Sequence, residues 1–476
     1  MGLTQEVASF VHRTRLADIP AEVLQLAKGY VLDGVGVALA GSTEKCCRIG
    51  QAHYAAFRAK GEASVLGTPL RLPAEKAAFL NGMAAHAMDY DDTQLSTSKD
   101  AVYGLLTHPT TPVLNAAWAA AELVGASGRD LLLAYIVAVE AECRLSDAMN
   151  PRHYQSGFHS TGTVGTLGAA LAAGKLLRLD EAGLVRALGL AASMAAGLRE
   201  NFGTMTKPFH AGRAAENGVL AALFARRGFT TATNILEAKR GFYNAMGGGY
   251  EPAKIHGRLG NPYFFLEPGI SIKPYPSGSL SHPAQDAILD LVRTHDLKPE
   301  QIERIEVGTN SNIPNALIYP MPTTELEAKF SIPFCMAIAV LERKAGIAQF
   351  KTEKVRDPRT VELMKRVTLY VDPEMEALGY DKARAVVKVT LTDGRVLTAR
   401  ADIARGTPPK LLTFDELAEK FRECARLAVS KGQAEEAIET IRELERLPKV
   451  ATLLARLAGR RAAAARRAAP RKRAVA

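Results

Sequence analysis

The chain has 476 residues, 47% of them hydrophobic and 23% charged. These are ordinary values for a globular protein and exclude wholesale disorder or a collagen-like repeat. At about 100–200 residues per domain, the length predicts two or three domains. The net charge is +10, but residues 459–476 hold seven arginines and lysines and no acid, so setting those seven aside leaves +3 on the body. The basicity belongs to a low-complexity tail and does not make the body a nucleic-acid binder. Five scattered cysteines show no CxxC spacing, which argues against a disulfide framework or zinc ribbon and for a reducing cytoplasm. The first fifteen residues have no apolar core of a signal peptide, and no uncharged stretch reads as a membrane span.

Helices are predicted in order over 21–40, 73–89, 112–124, 128–149, 160–177 and 180–196, all of helical length with few β-branched runs. Ser127 with Asp130, and Asp180, mark two of the starts. Several of these segments are apolar on most sides, which places them in a multilayer helical core. The stretch 262–281 is rich in Pro, Gly, Tyr and Ser and reads as an irregular loop. Strands follow at 302–308, 367–371, 386–391 and 396–399, the last two flanking Asp393-Gly394, a hairpin signal. With helices at 283–295 and 333–343 they make a small α+β unit. Helices return at 414–429 and 433–447. The predicted architecture is mainly α: a helical domain over 1–265 and 406–458, an α+β domain over 266–405, and a disordered basic tail over 459–476.

The densest polar cluster lies at 81–93. His86 and Asp89 share a helix face at i,i+3. Asp89, Asp91 and Asp92 then crowd three carboxylates at a helix end, where the dipole disfavours them. Either chemistry or a solvated acidic turn capping the next segment accounts for them. His108 precedes two prolines at a helix start, a natural anion site. His159, with Ser160 and Thr161, opens a helix whose Gly162, Gly165 and Gly168 suit close packing; the pattern is neither GxGxxG nor a P-loop. Lys207 and Lys273 each precede a proline, which holds the backbone in a fixed turn and suits a lysine that fixes a carboxylate or phosphate. An ordinary surface lysine is the alternative at each. Tyr319 before Pro320 is a weaker candidate of the same kind. Histidine, lysine and aspartate without a triad, HExxH or cysteine ligand set suit a cofactor-free site that makes or quenches a carbanion beside a carboxylate.

Five motifs in order carry a family resemblance: Asn-Gly-x-x-x-His-x-x-Asp-Tyr-Asp-Asp-Thr at 81–93, His-Pro at 108–109, Gly-Phe-His-x-Thr-Gly at 157–162, Lys-Pro-x-His-x-Gly at 207–212 and Lys-Pro-Tyr-Pro at 273–276. Together they resemble the MmgE/PrpD family of 2-methylcitrate dehydratases, cis-aconitate decarboxylases and iminodisuccinate epimerases. The resemblance implies a helical domain with a smaller α+β lid, a homodimer, no metal or organic cofactor, and a small polycarboxylate substrate. It implies His159, His108, Asp89 and Lys207 as catalytic residues, with His159 the main acid/base and Asp89 orienting a histidine or lysine. Thr93, Lys273, Tyr275 and Tyr319 would bind substrate. Dehydration of a 2-methylcitrate-like acid is the expected reaction, with decarboxylation or epimerisation the alternatives. The long 94–107 loop, and Gly278 where some members carry Cys or His, depart from the family pattern and bear on substrate shape. Two other classes remain. A magnesium-dependent diphosphate enzyme lacks its DDxxD motif here. A non-enzymatic binding protein would use the basic tail.

Overall fold

The computed structural model describes residues 2–56, 59–95, 107–149, 151–380 and 382–459; most of the 94–107 loop and nearly all of the basic tail lie outside the described residues. Small residues decide how the helices meet. In the N-terminal half these are α1 (Leu3–Arg13), α2 (Ala21–Gly41), α3 (Lys45–Ala55), α4 (Ala74–His86), α5 (Thr110–Val124), α6 (Gly128–Asp147), α7 (Arg152–Gln155), α8 (Ser160–Leu176), α9 (Glu181–Met194) and α10 (Thr206–Arg226). A two-stranded ribbon, β1 (Ala63–Ser64) with β2 (Arg71–Leu72), precedes α4. Helix α10 packs between α4 and α8. A Cβ on its Gly212 would stand 2.6 Å from the Phe79 carbonyl oxygen, and one on Gly218 2.4 Å from the Ala169 Cβ. Only glycine allows approaches this close. The glycine row of α8 does the same work, since a Cβ on Gly165 would meet Pro112 of α5 at 2.6 Å.

Most predicted helix ends hold to within two residues, but the expected 414–429 and 433–447 helices end early, at Ala425 and Arg442, and one further difference is informative. The segment expected to be helical through Asp89 stops at His86, and Asp89 takes a left-handed conformation with φ 53°. Ser127 and Asp180 cap α6 and α9 as predicted, accepting from the backbone N–H groups of Asp130 and Gly183. Helix α2 is long and apolar enough to cross a bilayer, unlike the expectation, but it is 83% buried inside the protein.

The larger apolar core draws on residues from Leu3 to Ile272 and again from Leu417 to Leu457, together with Ile347. A second core runs from Tyr275 to Ala401. It is built on a four-stranded sheet in the order β4 (Val367–Val371), β3 (Ile302–Thr309), β5 (Ala385–Leu391), β6 (Val396–Ala401). The β3–β4 pair is parallel and the other two are antiparallel. The β5–β6 hairpin turns at Gly394, whose φ of 86° needs glycine. The helices His282–Thr294 and Ile332–Glu342 pack together and cover the sheet. The helix Phe414–Ala425 carries the chain back against α2. The described residues are therefore mainly α, with strands only in these two small sheets.

Candidate active site

Where the two cores meet, a cavity of about 930 Å³ is lined by Asp89, Thr93, His108, His159, Lys207, Lys273 and Tyr319. Seven of the eight residues singled out from sequence therefore come together. Tyr275 does not line it. Its hydroxyl donates to Asp286 at 2.5 Å, and its ring faces a separate cavity of about 640 Å³ beside Tyr90 and Lys420. The prolines on either side turn the chain, so Lys273 and Tyr275 serve opposite sides of the same segment.

The three aspartates divide their work, and none is solvated. Asp89 is 6% exposed, and Asp91 and Asp92 are 1% each. The left-handed turn at Asp89 sets its carboxylate between two ammonium groups: Lys207 on Oδ1, and Lys273 on Oδ2 at 3.0 Å. Burial alone would raise this carboxyl; Lys207, Lys273 and His108 outweigh it and hold it well below the usual range. Asp91 Oδ2 accepts from His86 Nδ1 at 2.7 Å and from Thr111 at 2.8 Å. Asp92 bonds the Thr110 hydroxyl at 2.5 Å and the Thr110 backbone N–H at 3.3 Å. Asp91 and Asp92 thus sit at the N-terminus of α5, where the helix dipole favours acids. That accounts for a crowd of acids that the end of α4 alone would disfavour. Among the described residues Asp92 has no cation partner, and burial pushes its carboxyl well above the usual range.

Four imidazoles line up behind the carboxylates. His86 lies 4.5 Å from His108 and 5.6 Å from His159, ring centre to ring centre, and His159 lies 5.4 Å from His210. His108 Nδ1 donates to the Asp92 carbonyl at 2.7 Å, with Thr93 Oγ1 3.3 Å away. A carbonyl only accepts, so Nδ1 of His108 carries a proton. His86 is held down to about 3, chiefly by burial, so it gives Asp91 a neutral N–H.

His159 begins α8 as its N-cap residue. It is 1% exposed. Burial, reinforced by His86 and Lys207, drops its pKa well below the ordinary histidine value. Its Nδ1 lies 3.1 Å from His210 Nδ1, and among the described residues its Nε2 has no hydrogen-bond partner. One proton lies between the two Nδ1 atoms, so the tautomer of one ring dictates that of the other.

The remaining cavity wall holds residues that sequence reasoning missed. Arg199 stacks over Tyr154 at 3.6 Å and donates to the Tyr154 carbonyl, while its Nε is buried and has no partner among the described residues. Phe202 and Phe330 flank the Lys207 ammonium at 5.4 and 6.0 Å. No motif announced Arg199 or these rings. His210 had a signal: it stands three residues after Lys207 on one helix, hence on the same face. His86, Asp91 and His108 are ligand types whose donor atoms lie within 4.8 Å of one another. Both histidines direct Nδ1 at Asp91 Oδ2, at 2.7 and 3.2 Å.

Comparison with known proteins shows the family. The MmgE/PrpD N-terminal domain model matches residues 5–254, and the MmgE/PrpD C-terminal domain model matches residues 275–446. A cis-aconitate decarboxylase of Homo sapiens is 30% identical over 471 residues, covering 96% of this chain and 95% of the human one. That of Mus musculus is 30% identical over 474 residues, with 96% and 94% covered. A cis-aconitate decarboxylase of Aspergillus terreus is 26% identical over 480 residues, with 95% of each covered. Two matched domains in order, and likeness along nearly the whole chain, make this protein a member of the MmgE/PrpD family.

Proposed function

We propose that this chain is a cofactor-independent lyase that decarboxylates an unsaturated tricarboxylate of the cis-aconitate class. One observation carries the reading. A single cavity pairs a neutral, buried histidine, its Nε2 without a partner among the described residues, with two ammonium groups that share one carboxylate. Sequence reasoning favoured dehydration of a 2-methylcitrate-like acid. The decarboxylase relatives move the reading to loss of CO2.

In such a substrate one carboxylate stands on the carbon next to a double bond. Its C–C bond breaks and CO2 leaves. The electron pair shifts through the former double bond to the far carbon and spreads into the carboxylate there. Lys207 and Lys273, fixed by Asp89 before substrate arrives, oppose that growing charge without reorganising. His159 protonates the far carbon from Nε2. His210 passes its Nδ1 proton to His159 Nδ1 and takes one from water at its own Nε2. It is the more exposed of the pair, at 8% against 1%. One proton is consumed per CO2 released. Arg199 binds a carboxylate remote from the reacting bond, and His108 and Thr93 hold another. The α+β unit at 266–405 supplies Tyr319, Phe330 and Tyr380 and acts as a lid that keeps water from the carbanion.

The test is CO2 release from purified protein given cis-aconitate, citrate and 2-methylcitrate in parallel, repeated with His159→Gln. Release from cis-aconitate alone, lost in the variant, supports the reading. Loss of water from 2-methylcitrate without CO2 would return the protein to the dehydratases. Inertness toward all three would sink the proposed substrate class.

A further inference from the structure

The turn that carries Asp89 is held in an unusual way. Three successive carbonyl oxygens each accept from a buried lysine: Met88 from Lys329 at 2.7 Å, Asp89 from Lys273 at 3.0 Å, and Tyr90 from Lys420 at 2.7 Å. The donors come from three distant places. Lys329 follows the short helix Glu325–Ala328 beside the second core, Lys273 lies on the connecting segment, and Lys420 sits on the returning helix Phe414–Ala425. Lys420 also donates to the Lys273 carbonyl at 2.8 Å and pairs with Asp33 at 2.6 Å.

Lys329 is the telling member. It is 7% exposed and forms no ion pair with a carboxylate among the described residues; the one hydrogen bond of its ammonium there is to Met88. Burial lowers its pKa, with Glu44 and Asp89 opposing. Fold stability alone favours an apolar side chain at such a position. What the ammonium does hold is the left-handed Asp89, a conformation that L residues other than Asn and Asp rarely adopt. Helix formation ends just before it, at His86, so no helical hydrogen bond fixes these carbonyls.

We propose that Lys329 and Lys420 are positioning residues. Together with Lys273 they clasp the Met88–Tyr90 turn in the one conformation that places the Asp89 carboxylate between Lys207 and Lys273. They thereby set the spacing of the two cations that face substrate. Neither acts on substrate itself, and Lys329 does not line the cavity. Because the donors come from both cores, the clasp also makes a competent site depend on their docking.

The activity readout rests on the function proposed above, so the test includes one that does not. Lys329→Met is compared with wild type by steady-state kinetics on cis-aconitate, by thermal unfolding, and by hydrogen exchange of peptides spanning residues 84–95. A displacement of about 1 Å in a reacting group can cost about 100-fold. The clasp predicts a loss of that order in kcat/KM of the folded variant, with exchange accelerated in 84–95 and unchanged in α6 and α8. Lys329→Arg, which keeps a donor able to reach the carbonyl, recovers most of the rate. Should Lys329→Met fail to fold, Lys329→Gln decides by the same criteria, since its amide is too short to reach Met88. Wild-type kcat/KM and wild-type exchange in a folded variant would overturn the proposal, as would a fall in melting temperature alone. If wild type turns over no cis-aconitate, the functional reading fails, while local exchange still decides the clasp.

Discussion

Asp89→Asn is the most informative single substitution at this site. Asparagine keeps the shape and tolerates the left-handed backbone, so the change isolates the charge. Asp89 is buried and bonded to two ammonium groups, and removing one partner of a buried ion pair costs about 3–5 kcal/mol. Lys273 carries the consequence. Burial already lowers its pKa, with Asp89 the largest opposing influence, so without the carboxylate it falls further. Lys273 then loses its proton at a lower pH, and the alkaline limb of kcat/KM moves toward neutrality. Loss of one preorganised electrostatic group costs about 100- to 1,000-fold in kcat. The assay is a pH–rate profile of wild type and variant, with thermal unfolding alongside. Stability has its own sign. The Asp89 carboxyl is depressed in the folded state, so its contribution is full above the unfolded carboxylate value of about 3.9. It is lost as pH falls through the folded value, and the variant lacks this acid-sensitive component. A variant with wild-type kcat/KM and an unmoved alkaline limb would refute the view that Asp89 fixes the cation pair.

Four further expectations follow from the same structure. His159→Gln lowers kcat by about 100- to 10,000-fold, the range for general acid–base groups, while binding of a non-reacting tricarboxylate measured by calorimetry persists. His210→Phe leaves His159 in place but breaks the Nδ1–Nδ1 contact, so a smaller loss with a changed solvent isotope effect is expected. Arg199→Met raises KM by about 10- to 100-fold at nearly constant kcat, the worth of one hydrogen bond to a charged group; a kcat defect at constant KM would contradict its assignment to a remote carboxylate. Finally, His86 and His282 are both held down to about 3 by burial. Each stays neutral in the fold but charges in the unfolded chain below about pH 6.5. Their contribution is present above that value and declines as pH falls, by about 2 kcal/mol each at pH 5; flat unfolding free energy between pH 7 and 5 would refute this.

Much of this molecule is legible in its sequence, and the exceptions have physical causes. Helices such as Thr110–Val124 and Ser160–Leu176 announce themselves because local periodicity and punctuation decide them. The 81–93 motif was readable as chemistry, but not as structure. Nothing local tells that Asp89 leaves the helix, because the reason lies in lysines 184, 241 and 330 residues away along the chain from their acceptors. Asp91 and Asp92 look like a solvated turn until α5 places its N-terminus beside them. Tyr275 was carried along by its motif neighbours, and the bend at the prolines turns it to Asp286. Arg199 sits in no motif, and only the fold of 197–203 against Tyr154 makes it part of the wall.

The central claim is that a carbanion forms next to a carboxylate and is quenched by His159. The most direct test is proton and carbon NMR of the wild-type protein with cis-aconitate in deuterium oxide. The account predicts one CO2 released and one deuterium incorporated per turnover, on the carbon that gains a hydrogen, with both signals lost in His159→Gln. Water addition or exchange without CO2, or decarboxylation that continues in His159→Gln, would contradict it.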